Sequence, residues 1–348
     1  MPRASHFNQH PAFPEDVALA DLPRLSLTKL LENDAFESSQ LFRACKETGF
    51  FLLDLTGSGA GETMLDDAEK VFDLSRTIFG LESEELERFR FKPKESLFGY
   101  KRIGTMKLED GSPDNVEFYG LGQDDMLGTS TPRPNPELIL ANRKTFQDMF
   151  HDAYGIICHL FSHLEHHLSL KPGILASLCP QDKPSQTMLR MLRSAPHNIG
   201  NHRTNLIGHT DLGAMTILFN VVGGLQLLPA EAENVEGNWV YIRPEPGCAV
   251  INLGDAMVQW SGGILRSNIH RVVTPPGQQA SCPRDSLAYL LRPEAAASMR
   301  RLEGGDIIPR VADGEQEDSL CAQEWERMRT AQIVAGNSLP EIIGGQKV

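Results

Sequence analysis

Between residues 185 and 293 the chain falls into seven short apolar runs that alternate with Gly, Pro and Asn turns: "TMLRML", "AMTILFN", "GLQLLP", "NWVYIRP", "CAVINLG", "IHRVVTP" and "DSLAYLL". Short runs rich in β-branched residues and punctuated by turn formers are strands. Seven of them within roughly a hundred residues close into an all-β barrel or pack as a double-sheet jelly roll. No other feature narrows the possible folds so far.

The flanks read as helices. Residues 1 to about 24 form an extended arm. "LTKLLENDAFESSQLFRACKETG" has helical periodicity, with Leu30, Leu31, Phe36, Leu41, Phe42 and Cys45 on one face and Gly49 as C-cap. "FFLLDL" is a short strand ended by the turn "TGSGAG", and "ETMLDDAEKVFDLSRTIFGL" is a second helix. The glycine-rich stretch from Glu95 to Gly122 is expected to be irregular with short strands, and Pro132, Pro134 and Pro136 mark a boundary. Beyond them "ELILANRKTFQDMFHDAYGIICHLFSHLEHHLSL" predicts a helix of about 30 residues. A last helix is expected around "CAQEWERMRTAQIV". The expected organisation is an N-terminal region over 1–135, a long helical segment over 136–180, the β core over 181–295 and a helical tail over 296–348.

Bulk properties exclude several function classes. A formal net charge of −13 argues against nucleic acid or an anionic membrane as partner. The six cysteines are scattered with no CxxC pair, so neither a zinc ribbon nor a disulfide framework is expected, and the cytoplasm is the default compartment. The N-terminus has no signal-peptide character, and no apolar stretch is long enough to span a bilayer. No obligate protein partner is expected.

Chemistry concentrates at "HTDLGAMTIL". On a strand His209 and Asp211 stand at i and i+2 and share a face. Burying either is costly without a partner, and a metal ion would pair with both. His270 in "SNIHRVV" is the best third ligand. Two histidines and a carboxylate form the facial triad of non-heme Fe(II) oxygenases; zinc also accepts this set. Further on, Arg284 and Ser286 in "RDSLAYLL" repeat the i, i+2 spacing. A buried guanidinium suits a carboxylate, and the hydroxyl adds a donor; a structural ion pair is the alternative.

These stretches, with "GGLQLL" and "NWVYIRPEPGCAVINLGDAMVQWSGGILRSNIHRVV", resemble the Fe(II)/2-oxoglutarate-dependent dioxygenase superfamily in its isopenicillin N synthase-like branch. "LFRACKETGFFLLDL" resembles the N-terminal region of the same branch. The resemblance implies a mainly β core with flanking α-helices, folded as a double-stranded β-helix. It implies Fe(II) on His209, Asp211 and His270, with 2-oxoglutarate as co-substrate and its far carboxylate on Arg284 and Ser286. It further implies that O2 takes the last iron position and that succinate and CO2 are released as a small organic substrate is oxidised. Hydroxylation, desaturation and ring rearrangement remain open. Asn252 and Asp255 read as turn and scaffold residues. The pattern "GGDIIPRV" with "EWERMR" resembles fungal members that tailor specialised metabolites.

One departure stands out. Many relatives carry Asn-x-Tyr before a proline on the strand preceding the His-x-Asp pair, and here the aligned positions are Arg193 and Ala195. If both face inward, Arg193 is a candidate contact to substrate or co-substrate; a one-residue slip would turn it outward. An oxidase of the same fold that dispenses with 2-oxoglutarate, or a catalytically silent binding protein, are the other readings. The histidines at 159, 163, 166 and 167 read as structural or surface residues, and "GSGAGE" at 57–62 as a turn. Phe98, Tyr100 and Tyr119 read as packing rather than substrate contacts.

Overall fold

The computed structural model describes residues 7–92, 97–106, 108, 111–200, 203–312 and 320–334. Twelve strands form the scaffold: β1 (Arg24–Ser26), β2 (Phe50–Asp54), β3 (Gly99–Lys101), β4 (Val116–Gly122), β5 (Met188–Ser194), β6 (Thr204–His209), β7 (Met215–Asn220), β8 (Leu225–Leu227), β9 (Val240–Tyr241), β10 (Cys248–Leu253), β11 (His270–Val273) and β12 (Arg284–Leu291). They build one sheet of eight strands, ordered β1-β2-β10-β7-β12-β5-β4-β3, and one of four, ordered β6-β11-β8-β9. Among these strands only β1 and β2 pair in parallel. The two sheets make the expected jelly roll.

All seven apolar runs are strands, β5 and β7 to β12. The larger sheet is largely buried on both faces, which is why its central strands read as predominantly apolar runs with few polar positions. Ile217, Phe219, Leu287, Tyr289, Leu189 and Met191 pack on the helix layer. The alternate residues face the smaller sheet, where Phe50 and Val250 meet Leu225, Leu227 and Ile242.

The helix layer contains α1 (Ala35–Glu47), α2 (Gly59–Ile78), α3 (Arg143–His167) and α4 (Ala322–Val334), joined by shorter helical turns. The single helix expected over 27–49 is two pieces. Asn33 takes a left-handed φ of 58° and Asp34 caps the new helix by accepting from Glu37 N at 2.8 Å. The break rotates Phe36 off the apolar face, leaving it 69% exposed. Gly49 does follow the helix end with φ 67°, and a Cβ there would collide with Arg266 O at 2.1 Å. The helix expected over about 30 residues is shorter, 25 residues, because Asn142 separates it from the turn Glu137–Ala141.

Two strands escape the sequence pattern. β6 reads "TNLIGH", half-exposed at a sheet edge, and so lacks an apolar run. β4 lies in the glycine-rich stretch expected to be irregular with short strands; it is longer than that, seven residues paired along their whole length with β5. The arm also contributes: Tyr241 of β9 exchanges backbone bonds of 2.8 Å with Ala18 and Ala20.

Candidate metal centre

His209 closes β6 and His270 opens β11, and the two are cross-strand partners. Their ring centroids are 4.4 Å apart. Asp211 lies beyond the strand end, in the turn before β7. The turn, rather than strand alternation, brings the carboxylate to the imidazoles.

Every atom that faces away from the meeting point is tied. His209 Nδ1 pairs with Ile207 O at 2.9 Å and His270 Nδ1 with Asn268 O at 3.1 Å. Each ring therefore donates its N–H to a carbonyl and presents an Nε2 lone pair. Asp211 Oδ2 accepts from Thr216 Oγ1 and from Asn252 Nδ2, both at 2.7 Å. Oδ1 remains, 3.9 Å from His209 Nε2 and 4.0 Å from His270 Nε2. Such separations are too long for hydrogen bonds, but two metal bonds of about 2.1 Å each bridge them. One donor atom from each residue lies within 4.8 Å of the other two, the one such grouping found among the described residues.

Electrostatics agree. Burial, reinforced by the neighbouring His270, lowers His209 to about 4. Burial alone would raise Asp211, yet the two imidazoles and the Asn252 and Thr216 hydrogen bonds bring it down to about 2. At neutral pH His209 thus presents a lone pair and Asp211 a charged oxygen, the protonation states a divalent cation requires.

A second carboxylate supports the turn from beneath. Asp255 heads the short helix Asp255–Trp260 and its N–H donates to Asp211 O at 2.7 Å. Its side chain accepts from Thr210 Oγ1 at 3.1 Å and Ser267 Oγ at 2.5 Å, and it pairs with Arg329 of α4. The scaffold role expected of Asp255 is therefore the observed one. Asn252 does more, because it binds the candidate ligand directly. Sequence reasoning missed Thr216 and Arg329. The first was detectable: Thr216 and Asn252 are cross-strand partners, polar positions in two otherwise apolar runs.

Along β12, Arg284 and Ser286 face the space between the sheets. Arg284 is 4% exposed. Its Nε donates to Gly223 O at 2.8 Å and Nη1 to Ser286 Oγ at 3.2 Å. Burial lowers its pKa to about 10, and among the described residues no carboxylate forms an ion pair with it. A guanidinium so placed fits an anionic ligand.

Arg193 does not share that face. It is the cross-strand partner of Asp285, between Arg284 and Ser286, and its Nε donates to Asp285 Oδ1 at 3.0 Å. The inward positions of β5 are Leu192 and Ser194, so of the two registers left open by the sequence the structure has the one that turns Arg193 away from that face. Ala195 lies just past the strand. Arg193, Ala195, Arg76, Glu117 and Asp285 line a cavity of about 590 Å³ on the far side of the sheet from Ser286. Its charged groups are already engaged: Arg76 and Arg193 both pair with Asp285, and Glu117 accepts from Tyr100.

The remaining expectations resolve simply. His163 is enclosed, with Nδ1 2.9 Å from Ser38 Oγ and Nε2 3.0 Å from Leu30 O, and His167 stacks on Phe42 at 4.8 Å. Both tie α3 to the first helices. Ser58 caps α2 by accepting from Gly61 N at 3.0 Å, so "GSGAGE" is a turn into a helix. Tyr100 and Tyr119 pack in the helix-side core, whereas Phe98 lies in the inter-sheet cluster. Among the described residues no helix is long and apolar enough to cross a membrane.

Comparison with known proteins places the chain in a family. The model of the 2OG-Fe(II) oxygenase superfamily matches residues 185–293, and that of the non-haem dioxygenase N-terminal region, described from morphine synthesis, matches residues 18–139. A 2-oxoglutarate-dependent dioxygenase of Aspergillus fumigatus is 31% identical over 316 residues, covering 85% of this chain and 82% of the relative. Another, from Glarea lozoyensis, is 28% identical and covers 90% of this chain and 92% of its own. A full-length Neurospora crassa protein, solved in complex with alpha-KG, superposes with a TM-score of 0.74 at 22% identity, over 91% of this chain and 99% of its own.

Proposed function

Because the chain belongs to the 2OG-Fe(II) oxygenase superfamily, we propose that His209, Asp211 and His270 are its iron ligands and that Arg284 and Ser286 seat the far carboxylate of 2-oxoglutarate. The chain is an Fe(II)- and 2-oxoglutarate-dependent dioxygenase that uses O2 and oxidises a small organic molecule. The observation that carries the residue assignment is the convergence of three donor atoms whose partner atoms are all otherwise engaged.

When bound, iron with 2-oxoglutarate and O2 supplies the oxidant and releases succinate and CO2. The protein's part is placement. The carbonyls of Ile207 and Asn268 fix the tautomers of both imidazoles. Asn252 and Thr216 turn Oδ1 of Asp211 toward the metal position. Arg284, held by Gly223 and Ser286, presents a pre-oriented fork to the dicarboxylate. Leu218, Ala288 and Leu290 give the space between the sheets an apolar wall, which excludes water from the reacting centre.

The kinship with fungal dioxygenases supports a role in specialised metabolism, and the six unpaired cysteines support a cytoplasmic location. The decisive test is anaerobic addition of Fe(II) and 2-oxoglutarate, watching for the weak visible charge-transfer band of the chelate. The wild type forms the band and His209→Ala and Asp211→Ala do not, while both remain folded. A band that persists in either variant refutes the assignment, and a band that never responds to 2-oxoglutarate points to an oxidase that dispenses with it.

A further inference from the structure

A buried cation does stand near the metal centre, but it is Arg190. On β5 it pairs in register with Ala288 of β12 and Gly120 of β4. Alternation places it on the same face as Ser286 and opposite to Arg193. The guanidinium lies over the Phe118 ring, 4.5 Å from its centroid, and Nη2 donates to Met188 Sδ at 3.2 Å. Its Nε is buried with no hydrogen-bond partner. Among the described residues no carboxylate forms an ion pair with Arg190.

Its surroundings explain what it lacks. Burial and the like charge of Arg292 lower its pKa to about 10, so it stays a cation at neutral pH, and Asp211 only partly offsets this. Asp211 is not its counter-ion, because both carboxylate oxygens are committed to the metal position and to Thr216 and Asn252. Arg292 has its own carboxylate, Glu326, at 3.4 Å. Arg284 sits two inward positions further along the same wall, opposite Ser194. The wall around Arg190 is apolar: Phe98, Leu192, Leu218, Ala288 and Leu290. An uncompensated guanidinium in such a place is costly unless an anion completes it, and its planar fork matches a carboxylate.

We propose that Arg190 is a specificity residue that anchors a carboxylate of the substrate, so that the enzyme's substrate is a small acid with an apolar body. The body packs on Phe98, Leu192, Leu218, Ala288 and Leu290, and the acid end is held within electrostatic reach of the metal ligands. The inference rests on the placement of iron and 2-oxoglutarate proposed above.

The test is calorimetric titration of the anaerobic enzyme, loaded with Fe(II) and 2-oxoglutarate, with phenylacetate, cinnamate and octanoate, each against its own primary amide. The wild type binds at least one acid roughly tenfold or more tighter than the amide, as expected when a buried charged hydrogen bond is made. Arg190→Gln loses that preference but keeps amide binding and the visible band with 2-oxoglutarate. Arg190→Lys keeps part of the preference, and it reads the proposal should the glutamine variant not fold. The proposal is overturned if the wild type prefers none of the three acids, or if the preference survives in Arg190→Gln. It is equally overturned if Arg190→Gln weakens 2-oxoglutarate binding as an Arg284 variant does, which would make Arg190 a co-substrate ligand. Failure of the wild type to form the band would count against the iron assignment alone, since calorimetry on the metal-free enzyme still reads the acid preference.

Discussion

Arg329, on the last described helix, pairs with Asp255, whose carboxylate also holds the hydroxyl of Thr210 between His209 and Asp211. The C-terminal helix thereby braces the turn that carries the candidate iron ligands. Asp255 is fully enclosed and burial raises its pKa despite Arg329. Arg329→Ala leaves that carboxylate uncompensated, and removing one partner of a buried pair costs about 3–5 kcal/mol. Denaturant unfolding of the metal-free protein checks the loss, and an Fe(II) titration checks the weakened site. A variant as stable as the wild type refutes the bracing role.

Asn252→Ala and Thr216→Val each remove one hydrogen bond to Asp211 Oδ2. Loss of such an outer partner weakens metal binding by roughly 10–100-fold. The double variant should lose less than the sum, because both act on the same oxygen. Competition with a chelating dye measures the affinities.

Arg284→Lys replaces a buried fork by a point charge. Its 2-oxoglutarate requirement should rise by more than about tenfold, with little change in Fe(II) affinity. Succinate formation as a function of 2-oxoglutarate concentration is the measurement, and an unchanged dependence sinks the assignment. Arg193→Ala is the control: with its guanidinium engaged by Asp285 outside the inter-sheet space, it should leave succinate yield and 2-oxoglutarate dependence as in the wild type.

Asp152 on α3 faces the buried Asp67 on α2. Burial, together with a hydrogen bond to Asp67, raises Asp152 from 3.8 to about 6. A raised folded pKa favours the protonated form, so its stabilisation is complete below the ordinary carboxylate range and is lost as pH rises through about 6. Asp152→Asn keeps a neutral partner at every pH. It should melt higher than the wild type near pH 7.5, and the gain should vanish toward about pH 4.5. A gain that is constant with pH contradicts the raised pKa of Asp152.

Legibility in the sequence followed local strength of signal. The jelly roll was readable because its central strands are largely buried on both faces, so each is a mostly apolar run. The candidate triad was readable because His209, Asp211 and His270 are polar interruptions at the margins of such runs. β6 was not, since a half-exposed edge strand carries a weak pattern. Arg193 misled for a geometric reason. A period of two makes neighbouring arginines opposite in meaning, and with Arg190 and Arg193 three apart only the register of β5 against β12 decides which faces inward. The Arg329–Asp255 pair could not be anticipated, because long-range partners leave no spacing to read.

The bond between Arg329 and Asp255 has a consequence for how the enzyme is born. The chain is made from its N-terminus, so His209, Asp211, Asp255 and His270 all emerge well before Arg329. Until the last helix docks, the turn beneath the ligands holds a buried acid without its counter-charge. The counter-charge beneath the candidate ligands is therefore in place only once residues 322–334 have been made and have docked. A chain that stops before Arg329 should keep every candidate ligand and yet bind Fe(II) less tightly than the full chain.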